Sequence, residues 1–151
     1  MKKEIRTLPP EVLLEEYRRL LQEHEDVELP LVVSGNSMSP FLVGGRDKVF
    51  LARPKAPARR GQILLYRRES GQYVLHRVYR TEQDTMTMVG DAQQELEPGI
   101  HADQVIAVVT RVERKGKPMG PGSFWWEFFD KVWIRLVPLR HVLHRAYSRF
   151  R

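Results

Sequence analysis

Cysteine is absent from all 151 residues, which removes disulfides, thiolate metal sites and cysteine nucleophiles from the available chemistry. That composition fits a reducing compartment. Long apolar runs are missing too. None approaches the ~20 residues that cross a bilayer, and residues 1–7 are charged with no apolar stretch behind them to read as a secretory signal. The expectation is a cytoplasmic protein with neither leader nor spanning anchor, meeting a membrane only from its surface. No helix-turn-helix, zinc-finger or RNA-binding motif occurs, so nucleic acid is not an expected partner. Nor does any cluster of residues call for a cofactor or a metal. His141 and His144, three apart, have no acidic or further histidine partner nearby and suit a basic helix face, while His24 and His101 belong to no motif.

What is present is unevenly spread. A hydrophobic content of 42% over this length suffices for one well-buried core rather than two. The net charge of +6 divides into −3 over residues 1–28, +5 over 29–122 and +4 over 123–151. Pro9 and Pro10 stand where a helix can begin, and Leu13, Leu14, Tyr17, Leu20 and Leu21 recur on one face behind them, opposite Glu11, Glu15, Glu16, Arg18 and Arg19. This predicts an amphipathic packing helix over residues 9–24.

From residue 30 the texture changes to short β-rich runs broken by glycine, proline and charge. Strands are expected at 29–34, 48–52, 62–67, 72–80, 85–89 and 104–113, with a hairpin turn at 69–71 and a solvated loop at 53–60. The glycines and prolines of 115–123 mark the end of this module. Beyond them Phe124, Trp125, Phe128, Phe129, Val132, Trp133, Leu136 and Val137 form a broad apolar stripe among Lys131, Arg135, Arg140, Arg145, Arg149 and Arg151, with Pro138 set to kink or split the helix. Two uses compete for this tail. It can lie on an anionic membrane surface, or its stripe can pack on the β module or on another subunit. The fold class is therefore mainly β: a helical segment over 1–28, an antiparallel β domain over 29–114, and C-terminal amphipathic helices over 123–151.

Three pieces carry chemistry. Ser37, in Ser34-Gly35-Asn36-Ser37-Met38-Ser39-Pro40, sits on a sharp turn after an apolar strand, followed by Gly44, Gly45 and Asp47. His76, in Tyr73-Val74-Leu75-His76-Arg77-Val78-Tyr79, shares one strand face with Val74 and Val78. Asp91 follows Gly90 at a strand end, with Glu95 and Glu97 beyond it. Taken singly, these read as a turn serine, a half-buried histidine and a carboxylate capping its own turn. Taken in this order, with the histidine 39 residues after the serine, they resemble the serine peptidase superfamily of type I signal peptidases and LexA-like self-cleaving repressors, over about residues 31–110.

That resemblance implies Ser37 as nucleophile, His76 as general base and Asp91 as the aspartate of the family's Gly-Asp-Asn motif. Many members use lysine where this chain has His76, so the chain looks like the endoplasmic-reticulum and archaeal branch of signal peptidases. Ala92 stands in place of the motif's asparagine, and one residue is inserted in Gly44-Gly45-Arg46-Asp47. The third catalytic group is thereby left open among Asp91, Glu95, Glu97 and none. The chemistry suits the residue types, since a serine hydroxyl needs a base in reach, and imidazole, with an ordinary pKa of ~6.5, is already largely neutral near pH 7. A peptide or precursor protein, bound as an added β-strand, is the implied substrate. The backbone N–H of Ser37 and a donor from the 34–36 turn would hold the oxyanion. Two rivals remain: a non-catalytic adaptor binding a peptide or partner on the same fold, and a LexA-like regulator that cleaves itself, for which the residues before the β module are too few to hold a helix-turn-helix unit.

Overall fold

The computed structural model describes residues 10–140 together with 142, 143 and 145. Pro9, His141, His144, Arg149 and Arg151, used in the sequence reading, lie outside the described residues.

Helix α1 spans Pro10–Glu23. Leu14 and Leu21, seven apart and so on one face, are its buried contacts. The Tyr17 hydroxyl donates to the Pro30 carbonyl at 2.6 Å, and Glu15 accepts from the Tyr73 hydroxyl, so the middle of the helix is tied to the sheet by two hydrogen bonds. Eight strands follow: β1 (Glu28–Val32), β2 (Lys48–Ala52), β3 (Ile63–Arg67), β4 (Tyr73–Thr81), β5 (Thr85–Val89), β6 (Glu97–His101), β7 (Val105–Arg114) and β8 (Lys117–Met119). All pairings are antiparallel, in the order β1-β2-β7-β3-β4-β5-β6, with β8 on β7. The chain is thus a mainly antiparallel β protein with helices before and after the sheet. Six strands match the sequence reading to within about two residues at either end.

Strand β3 shows how the sheet divides the core. Ile63 and Leu65 face one hydrophobic cluster, with Phe41, Leu42, Val49 and Val109, while Leu64 and Tyr66 face a second, with Val74, Val78, Met86 and Met88. Side chains alternate across a strand, so a run apolar at every position is buried on both faces. β6 and β8 were not expected. β6 contains Pro98 and Gly99, which weaken a strand reading and are tolerated because this is an edge strand.

The tail turns back onto the sheet. An α-helical turn, Phe124–Glu127, widens to a π-helical turn over Phe128–Val132 and tightens to a 3-10 turn over Trp133–Leu139 that contains Pro138. Phe129, Ile134 and Val137 are buried. Asp130 lies so close to Gly61 that a Cβ there would fall 1.9 Å from its Oδ1, and Gly61 also holds a φ of +95°, so only glycine fits. No described helix is long and apolar enough to cross a membrane.

Candidate active site

Ser37 follows β1 by five residues, on the turn that leads into the buried segment Met38, Phe41 and Leu42. The next loop is organised by Asp47, 1% exposed. Its carboxylate accepts the N–H of Val43 at 2.8 Å and of Lys115 at 3.0 Å, and both Nε and Nη2 of Arg46 at 2.8 Å. Burial alone would push this carboxyl up, but the Arg46 bonds and the two backbone donors outweigh it and hold the group below the usual range. The Gly44-Gly45-Arg46-Asp47 loop is therefore a structural brace, with Asp47 at its centre and Arg46 one of its partners.

The β4–β5 register ends at the pair Arg77–Val89, and carried on by one residue it would set His76 across from Gly90. Over Gly90, on the side a side chain would occupy, lies the Ser37 carbonyl, 2.5 Å from the place of a Cβ. That carbonyl also accepts the Ala92 N–H at 2.9 Å. Cross-strand partners project to the same face, so the serine turn and the imidazole share one side of the β4–β5 pair. No hydrogen bond joins Ser37 Oγ to His76 among the described residues. No hydrogen bond from the Ser37 N–H is found among the described residues.

His76 is 4% exposed. Its Nδ1 lies 3.3 Å from the Tyr66 hydroxyl, which donates to Glu97 Oε1 at 2.6 Å. Arg68 closes the chain, with Nε on Glu97 Oε2 at 2.8 Å and Nη2 on Oε1 at 3.0 Å. Burial, and then the nearby Arg68 charge, push the imidazole down to about 4 against the opposing pull of Glu97. Glu97 would be raised by its burial, but hydrogen bonds from Arg68 and Tyr66 outweigh that and leave it below the usual range. Burial and the Glu97 bond push Tyr66 above its ordinary value.

Asp91 does not orient His76, contrary to the sequence expectation. Its two oxygens accept Arg77 Nε and Nη2, each at 2.9 Å, and Arg77 Nη1 donates to the Gly61 carbonyl at 2.7 Å. The cause is strand alternation: Arg77 and His76 are neighbours on β4 and point to opposite faces, and Asp91, two beyond Val89, sits on the Arg77 face. Of the three carboxylates left open, Glu97 reaches the histidine, through Tyr66. Glu95 is exposed in the cleft wall without an ion pair among the described residues.

A cleft of about 750 Å³ opens here, lined by Arg68, His76, Gln93, Gln94, Glu95, Leu96, Glu97 and Pro98. Ser37 is not in its wall and adjoins it through Ala92 and Gln93. The turn between them is clamped by the tail. Arg140 Nη1 donates to the carbonyls of Gly90 at 2.9 Å and Gln93 at 2.7 Å, and the Trp133 indole donates to that of Asp91 at 2.8 Å. A second cavity of about 680 Å³, over Leu64, Met86, Val105 and Val108 beside the 53–60 loop, is lined by neither Ser37 nor His76.

The depressed imidazole has a measurable consequence. Between about 6.5 and about 4, the unfolded chain takes up a proton at His76 that the folded chain refuses. Folding stability therefore declines as pH falls through that window, by about 3 kcal/mol in total, and levels off below it. Denaturant titrations from pH 7 to 5 should show this slope in the natural protein and a flatter one in His76→Gln. Equal slopes would mean that the imidazole is not held neutral.

Tyr66 and Arg68 went unremarked in the sequence, where Tyr66 reads as one more apolar strand residue. Its position diagonal to His76 across the β3–β4 register, with Leu64 opposite His76 and Tyr66 two residues on, appears only once the register is known. No protein-family model matches the chain, and neither a curated protein nor a solved structure matches it.

Proposed function

We propose that the chain is a serine endopeptidase, similar to the histidine type of signal peptidase, that cleaves a peptide or precursor protein. One observation carries this reading: the Ser37 carbonyl lies over Gly90, the next residue after the one paired with Arg77, and the buried imidazole of His76 has one ring nitrogen at Tyr66 and the other without a hydrogen bond among the described residues. The free nitrogen takes the Ser37 Oγ proton as the oxygen attacks the scissile carbonyl carbon. The oxyanion forms at the Ser37 N–H, and the imidazolium returns the proton to the departing amine. Water then repeats the sequence on the ester. The separation of Ser37 and His76 closes when an extended substrate enters the cleft beside His76, as catalytic contacts commonly tighten on binding.

The test is a serine-directed fluorophosphonate, with the modified residue located by mass spectrometry. A single adduct on Ser37 is expected. No adduct, or one elsewhere, would shift the reading to the adaptor, which the missing Ser37–His76 hydrogen bond already favours.

The same enzyme works, in our reading, at an anionic membrane surface. Phe124, Trp125 and Phe128 cluster with ring centroids 4.9 to 6.4 Å apart, and Phe124 is 71% exposed. Exposed Val132, Leu139, Val142 and Leu143 extend the apolar surface, and exposed Lys131, Arg135 and Arg145 supply the charge. Arg114 lies 5.9 Å from the Trp125 ring and donates to the Phe41 and Pro40 carbonyls, so a membrane meeting these rings lies close to the serine turn. Co-sedimentation with vesicles containing phosphatidylserine at low salt is expected, with loss at high salt and in Phe124→Ser with Trp125→Ser. Absence of binding at low salt would remove this part of the reading.

A further inference from the structure

The proton inventory around His76 is closed. Glu97 is held as a carboxylate by the paired Arg68 bonds, and Arg68 is itself steadied by its Nη1 on Gln72 Oε1 at 2.7 Å. A carboxylate has only lone pairs to offer. The 2.6 Å contact between Tyr66 and Glu97 is then possible only with the tyrosine proton between them, since two bare oxygens would repel at that distance. The tyrosine has one proton. Its oxygen therefore presents lone pairs to Nδ1 of His76, and the 3.3 Å contact requires the hydrogen to be on the ring nitrogen.

We infer that Tyr66 is the positioning residue of this site: its hydroxyl, with its proton committed to Glu97, accepts the Nδ1–H of His76 and fixes the tautomer in which Nε2 carries the free lone pair. That is the form a base must take. The imidazole is turned edge-on to the Tyr66 ring, with centroids 6.2 Å apart, so packing and hydrogen bond hold the same orientation. The carboxylate that usually touches such a histidine is replaced by a tyrosine and a more distant carboxylate on β6, because Asp91 is spent on Arg77. When Nε2 takes a proton, the positive charge is compensated through Tyr66 by Glu97, without a buried carboxylate in direct contact.

The catalytic consequence rests on the peptidase reading, whereas the tautomer does not. The experiment therefore reads the ring directly. In protein carrying isotope-labelled histidine near pH 7, the ring-nitrogen resonances of His76, assigned by their loss in His76→Gln, should show a protonated Nδ1 and a bare Nε2. Tyr66→Phe keeps the ring packing and should abolish that preference, moving the proton to Nε2. Glu97→Leu should do more: Tyr66, with no acceptor for its proton, donates it to Nδ1 and the tautomer inverts. Glu97→Gln keeps a carbonyl acceptor and should preserve the natural pattern. If Tyr66→Phe does not fold, the Glu97 pair, on an edge strand, carries the test. A bare Nδ1 in the natural protein, or a spectrum unchanged by Glu97→Leu, would overturn the inference. Fluorophosphonate labelling of Ser37 should slow about 10²-fold in Tyr66→Phe. A protonated Nδ1 in a protein whose Ser37 never labels would sink the peptidase reading and leave the tautomer assignment standing.

Discussion

Ser37→Ala should eliminate covalent labelling at that site, and His76→Ala should slow cleavage of a natural substrate by about 10⁴- to 10⁶-fold, with the double variant no slower than Ser37→Ala alone. The reason for the missing additivity is mechanical. A base with no hydroxyl to deprotonate does nothing, and a hydroxyl with no base is nearly inert near pH 7, so the two groups form one device. Additive losses, each modest, would describe residues that only shape a binding surface. The fold should survive Ser37→Ala, since Ser37 is partly exposed and no hydrogen bond through its Oγ is found among the described residues, whereas His76→Ala empties a buried position and should cost some stability. Circular dichroism on the same samples separates lost chemistry from lost structure.

Asp91→Ala should act in the opposite way, on stability first. Asp91 and Arg77 are 0% and 2% exposed and joined by two 2.9 Å bonds. Removing the carboxylate strands a guanidinium in the core, a loss that typically costs about 3 to 5 kcal/mol. Denaturant unfolding near pH 7 should show a loss of that size, and Asp91→Ala combined with Arg77→Met should recover much of it, because apolar replacements of a buried pair are often neutral or better. A loss below about 1 kcal/mol in the single variant would mean that Arg77 finds another acceptor there, against the geometry described. If Asp91 instead served the histidine, its removal would slow labelling while leaving stability nearly unchanged.

That contrast locates what was legible in the sequence. The turn carrying Ser37 and the strand carrying His76 were readable because turn residues and alternation are local properties. Asp91 was misplaced because its partner depends on the β4–β5 register, and a shift of one residue exchanges the Arg77 face for the His76 face. The information was partly present: Arg77 beside His76 is a charged residue on a strand whose neighbours are buried, and such a residue needs a partner. Tyr66 left no comparable mark, because a tyrosine in an apolar strand reads as packing, and Glu97 begins a strand whose Pro98 and Gly99 hide it. For the tail, periodicity announced one apolar stripe. Some of it is buried, at Phe129 and Val137, and some is open, at Phe124, Trp125 and Val132, while the buried Ile134 lies outside it. A helix that widens and then tightens turns successive residues outward in a way no fixed period describes.

The clamp on the 90–93 turn bears on the order in which a growing chain becomes competent. All the strands that carry the site are synthesised by Arg114, well before Trp133 and Arg140 exist, and domains fold as they emerge, amino end first. Until those two side chains arrive, the Gly90, Asp91 and Gln93 carbonyls lack the donors that fix them, and the bed beneath Ser37 is free to shift. On the peptidase reading proposed above, a growing chain completes its site only once the tail has been made.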